Sequence, residues 1–112
     1  MNYCHDGTEG WIENKRCEAS ACEVQPSQVG WIERRIRNGG RVFIAVRRLA
    51  KAGKRREARD DLILLRGAAI RDLATSGLVG VPKRFWIFEN SGGPAQWDWD
   101  QVYHDLIYAK SM

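Results

Sequence analysis

A chain of 112 residues can close one hydrophobic core without a metal or a disulfide framework, and its 44% apolar and 29% charged content excludes a disordered tail or a fibre. No run approaches the ~20 apolar residues that span a membrane, and no charged segment followed by an apolar one opens the chain, so the expectation is a cytoplasmic protein without membrane contact. The net charge of +4 is modest, but it is concentrated: from Arg34 to Arg59 the cations face a single acid, Glu57. Such a block suits a polyanion partner, with binding that weakens as salt rises. Its candidate contacts are Arg35, Arg47, Arg48, Lys51, Lys54, Arg55, Arg56 and Arg59. A solvated loop beside a charged helix face is the other reading.

The cysteines Cys4, Cys17 and Cys22 form an odd set, which favours reduced thiols over a disulfide framework. With His5 they make four potential zinc ligands. However, Cys4 and His5 point to opposite faces of an extended strand, and no CxxC knuckle is present, so small thiols are the better expectation.

In chain order, Asp6-Gly7 is a tight-turn pair that closes a hairpin between Asn2-Tyr3-Cys4 and a strand from Gly10 to Arg16. Along that strand Trp11, Glu13 and Lys15 share one face, while Ile12, Asn14 and Arg16 share the other. A carboxylate beside an ammonium suits metal-assisted hydrolysis, in which the carboxylate holds a hard divalent cation and the lysine orients or deprotonates a water. It is equally the description of an exposed ion pair worth under ~1 kcal/mol. Residues 17–25 carry no strand or helix pattern and read as a loop that passes over the strand edge.

Pro26-Ser27 opens a helix with the serine as cap; Val29, Ile32 and Ile36 recur at helical spacing, and Asn38-Gly39-Gly40 ends it. Gln28 lies at the edge of the buried stripe, where its amide serves either a neighbouring site or the helix's own backbone. The apolar run from Arg41 to Arg47 predicts a central strand, and strand, helix, strand makes a βαβ crossover. Residues 49–60 form the basic loop, 61–65 the next strand, and Gly67 introduces a helix over 68–75. A strand over 84–88, a turn at Ser91-Gly92-Gly93-Pro94 and a last helix capped by Asp98 or Asp100 complete a single domain. Trp97 and Trp99 are expected to pack that helix onto the body; a base-stacking platform that includes Trp86 is the weaker alternative.

The order Glu13-Asn14-Lys15, then Gln25-Pro26-Ser27-Gln28-Val29-Gly30-Trp31, then Gly39-Gly40-Arg41 through Val46-Arg47-Arg48 resembles the PD-(D/E)XK nucleases, specifically the small phage and prophage VRR-NUC-like members. Leu64-Leu65-Arg66-Gly67 and Trp97-Asp98-Trp99-Asp100 extend the likeness over nearly the whole chain. The resemblance implies an α/β domain with a mixed sheet and a restriction-endonuclease-like core. It implies hydrolysis of structured DNA with Mg²⁺ or Mn²⁺, in a phage- or prophage-encoded protein of the bacterial cytoplasm. Glu13 and the Asn14 carbonyl would hold the metal, Lys15 would orient water, Gln28 would face the site, and Arg47 and Arg48 would approach DNA phosphates. The family pattern also places a Pro-Asp pair at the start of the hairpin, at about the point where this chain begins. That motivates reading the domain as truncated before the motif, with Asp6 as the nearest acid for the metal. The alternative function is a catalytically degenerate, nuclease-derived binding protein: a phage inhibitor of a host defence complex of the anti-CRISPR type, acting as a homo-oligomer or in a host protein complex.

Overall fold

Strand-forming runs, nearly continuously apolar in the two central strands, build a mixed sheet, and residues Met1–Met112 of the computed structural model are described throughout. Strands β1 (Asn2–His5) and β2 (Thr8–Glu18) form the expected hairpin. Asp6 and Gly7 close it with φ of 49° and 81°, the two left-handed residues of a tight hairpin turn. Strand β3 (Ala21–Cys22) folds back on the end of β2. Helix α1 (Pro26–Arg37) then crosses to β4 (Val42–Ala50), which runs parallel to β2 with Glu13 beside Ile44 and Lys15 beside Val46. This is the predicted crossover.

Strand β5 (Arg59–Arg66) returns antiparallel to β4, so residues 51–58 form the tip of a hairpin rather than a twelve-residue loop. A single 3₁₀ turn leads into α2 (Ile70–Ser76), and β6 (Trp86–Asn90) closes the sheet before α3 (Trp99–Tyr108). The order is β1-β2-β4-β5-β6, with β3 on the outer edge of β2. The protein is therefore an α+β domain with a six-stranded mixed sheet and three helices. No helix is long and apolar enough to cross a membrane.

The two sheet faces have different cores. Val42, Ile44, Val46, Ile63 and Leu65 are buried with Ile32 of α1 and Ile70 and Leu73 of α2. Phe43 and Leu64, on the opposite face, are buried under Leu106 of α3. Each such aliphatic side chain contributes about 1.5–3 kcal/mol by leaving water, and their alternation sets the register, because a one-residue slip would exchange the faces.

Several local expectations need correction. Residues 17 and 18 continue β2, and 21–22 form β3, because Cys17 stands directly across from Cys22. These cysteines are disulfide-bonded, with Cα atoms 4.4 Å apart, the spacing of a narrow antiparallel pair; only Cys4 is free. The first-turn cap of α1 is Gln25, not Ser27. Strand β6 begins two residues later than read, since Lys83–Phe85 forms a 3₁₀ turn. Asp98 caps α3, its Oδ1 accepting from the Gln101 N–H at 3.0 Å. Trp97 is buried as expected, whereas Trp99 is 48% exposed.

Arg48 and Asp61 are direct cross-strand partners, and Asp61 is 1% exposed. Arg48 donates to Asp61 Oδ2 through Nε at 2.9 Å and Nη2 at 2.7 Å, and to Glu89 Oε1 at 3.1 Å. Removing one member leaves the other charge buried. Arg48→Met is expected to destabilise the fold by about 3 kcal/mol in urea titration, and the double change with Asp61→Leu to recover most of that loss. For the cysteines, thiol titration of the unfolded, unreduced protein is expected to find only Cys4. Reduction should lower stability by about 2 kcal/mol, the closure entropy of so short a loop.

Candidate functional site

The parallel pairing of β2 and β4 lays the connecting α1 over one face of β2, and its first turn descends on Glu13 and Lys15. Gln28, in that turn, binds at both ends of its amide. Its Oε1 accepts from Lys15 Nζ at 2.6 Å and from the Gln25 N–H at 3.0 Å, while its Nε2 donates to Glu13 Oε1 at 3.0 Å. The amide orientation is fixed, because reversal would set its NH₂ against an ammonium and a backbone N–H. Gln28 thus bonds both the helix backbone and the two charged side chains of β2.

Glu13 Oε2 accepts from Trp11 Nε1 at 3.1 Å, and Lys15 Nζ lies 3.9 Å from Glu13 Oε1. The Lys15 and Glu13 side chains are 11% and 19% exposed, so this is a half-buried network and not a surface ion pair. Each carboxylate oxygen has one donor within the chain and keeps further acceptor capacity for a cation or a phosphate-bound water.

The network borders a gap in the sheet. Trp11 and Ala19 donate their N–H groups to Arg41 and Leu49 carbonyls on the β4 side, whereas Ile12 exchanges backbone bonds with Met1 on the other edge. By that alternation the peptide groups of Asn14 and Arg16 point away from β4. Pairing with β1 reaches only to Ile12, and pairing with β3 starts at Cys17. The Asn14 carbonyl thus opens on the free edge next to Glu13, where a metal-ligand role requires it. Its side chain is exposed on the opposite face.

Asp6 does not join this group. It sits in the hairpin turn, 90% exposed and 3.1 Å from His5 Nε2, about 20 Å along the strand from Glu13. No cluster of three or more His, Cys, Asp or Glu capable of holding a metal is formed, and the disulfide removes two of the four zinc candidates. The donor set at the gap is one carboxylate and one carbonyl. This fits Mg²⁺ where waters and substrate phosphate oxygens complete the octahedron.

The basic stretch divides by partner. Arg48 is held inside by Asp61 and Glu89, with 13% of its side chain exposed, so it does not present a cation to DNA. Arg47 forks onto Asp60 through Nε at 2.9 Å and Nη2 at 2.7 Å, and this pairing lowers the Asp60 pKa below the ordinary carboxylate value. Arg59 is half-exposed, 3.5 Å from Asp61. Lys51, Lys54, Arg55 and Arg56 are exposed on the β4–β5 tip, which makes them a basic arm. Arg35 is elsewhere, stacked over Trp11 and Trp31. Trp11 and Trp31 were not among the sequence candidates. The i, i+3, i+7 spacing of Gln28, Trp31 and Arg35, together with the shared face of Trp11 and Glu13, is the signal that marks them.

Replacing Gln28 by leucine leaves Lys15, Glu13 and the Gln25 N–H without their common partner. The expected cost is about 1–3 kcal/mol in denaturant unfolding, and an unchanged midpoint would show that the bridging amide does not form in solution. Comparison with known protein families, characterised proteins and solved structures finds no match to this chain.

Proposed function

We propose that the chain is a nuclease-fold protein that engages DNA and hydrolyses its phosphodiesters with Mg²⁺ or Mn²⁺ at the gap beside Glu13. The observation that carries this reading is the Lys15–Gln28–Glu13 network, half-buried at a free strand edge where a substrate strand has access. Glu13 and the Asn14 carbonyl are the residues that would hold the cation, which when bound supplies a polarised water and neutralises phosphate charge. Gln28 fixes the Lys15 ammonium at 2.6 Å from its amide oxygen. From there Lys15 orients the attacking water and offsets the charge that develops on the phosphorane-like transition state. The arm from Lys51 to Arg56 supplies sequence-independent attraction to the DNA backbone, and its strength falls with salt.

The second reading, a DNA- or protein-binding derivative without catalysis that inhibits a host defence complex, is favoured by one specific observation. Glu13 is the lone carboxylate at the gap, and Asp6 stands far from it. The strand register suggests the experiment that separates the two readings. Ile12 exchanges backbone bonds with Met1, so a residue placed directly before Met1 and continuing β1 would stand across from Glu13, with its side chain on the same face.

Incubation with branched, duplex and single-stranded DNA plus Mg²⁺ or Mn²⁺ is expected to give cleavage that falls about a hundredfold or more in Glu13→Ala and Lys15→Ala. If the chain as it stands is inert, addition of an aspartate immediately before Met1 is expected to raise activity. No cleavage by either protein leaves the binding-only reading.

A further inference from the structure

A row of side chains continues from the Glu13 network along the seam between β2 and α1, and hydrolysis as described does not use it. Trp11, whose Nε1 donates to Glu13, packs edge-on against Trp31 with ring centroids 4.9 Å apart. The Arg35 guanidinium lies over both indoles, with Cζ 5.2 Å from the Trp31 centroid and 5.9 Å from that of Trp11. Beside it an open groove of about 480 Å³ is lined by Trp31, Arg34, Arg35, Asn38 and Gly40.

Arg35 differs from the paired arginines of the chain. Arg47, Arg48 and Arg71 each meet a carboxylate within 2.7 Å, whereas Arg35 forms no ion pair. A Cβ at residue 40 would lie 2.7 Å from Arg35 Cγ and 2.9 Å from the Arg35 carbonyl oxygen, which accepts from the Gly40 N–H, so glycine is required where the helix end closes beside this side chain. Compensation of the helix dipole explains cations in the last turn of α1 and is worth about 0.3–1 kcal/mol. It does not require an aromatic cradle. An exposed, unpaired guanidinium that lies over two indoles is available for bidentate contact with phosphate.

We propose that Arg35, braced by Trp11 and Trp31, clamps a backbone phosphate of the nucleic-acid strand that adjoins the phosphate at Glu13. Trp11 links the two positions, its Nε1 on Glu13 and its ring beneath Arg35, so the clamp sets strand direction and register across the gap, and Arg35 is a positioning residue. The inference rests on the nuclease-fold reading for its ligand, but it concerns binding and does not require hydrolysis.

Its test is therefore performed in EDTA, with a fluorescein-labelled single strand and the matching duplex titrated across a salt series. Arg35→Gln is expected to weaken binding about tenfold and to reduce the salt slope by about 0.7 on the single strand or 0.9 on the duplex, one phosphate contact. Arg35→Lys should keep the slope and recover only part of the affinity, because the charge remains without the fork. Trp31→Leu should likewise lower affinity at unchanged slope, since it frees the guanidinium without discharging it. Unfolding midpoints establish that the variants are folded. Wild-type affinity and slope in folded Arg35→Gln overturn the clamp while leaving hydrolysis standing if cleavage is seen. Weakened binding without any cleavage supports the clamp and removes the hydrolytic reading. Absence of binding by the unaltered protein overturns both.

Discussion

The site depends on one side-chain amide. Gln28 has a single acceptor and a single donor group, and the crossover from β2 through α1 to β4 brings three partners to them: an ammonium, a backbone N–H and a carboxylate. Without that bridge Lys15 and Glu13 are neighbours on a strand at 3.9 Å, an interaction that solvent and salt largely screen. With it, both are held in one geometry and half removed from water, where each hydrogen bond to a charged group is worth more than its exposed equivalent. The same amide ends the orphaned backbone of the first turn of α1, so helix placement and site geometry are one constraint.

The network lies beside an unpaired stretch of the sheet edge. Hairpin β1 and the short β3 both pair with the outer edge of β2, but from opposite ends, and the stretch around Asn14 lies between them. The Cys17–Cys22 disulfide pins β3 at one border of that gap, and the Met1–Ile12 bonds define the other. An open edge exposes peptide groups that ordinarily invite pairing; charged and exposed Arg16 together with the brevity of the gap limit that hazard.

Basic residues that read as one block in the chain have three separate physical roles. Arg48 satisfies a buried aspartate, and Arg47 closes a diagonal fork onto Asp60. The tip from Lys51 to Arg56 extends into solvent without such partners, and Arg35 lies on a pair of indoles. Counting cations therefore overstates the surface available to a polyanion. Position decides the difference: the two arginines of β4 lie across from the acids of β5, whereas the tip extends beyond both strands and Arg35 stands on α1.

Local pattern determined much of this protein. The hairpin at Asp6-Gly7, the amphipathic α1, the buried central strand and the crossover between them follow from short-range periodicity and turn chemistry, which act within a few residues; the choice of Asp98 over Asp100 as the α3 cap came from the structure. The shared face of Trp11, Glu13 and Lys15 is likewise a property of any strand. Tertiary structure decided which partners those side chains meet. The burial of Arg48 on Asp61 and the seat of Arg35 over Trp11 and Trp31 each depend on how separate elements pack, and the Cys17–Cys22 bond on the pairing of β3 with β2. Register is set by the packing of two core faces at once, a long-range condition that no local run of residues expresses.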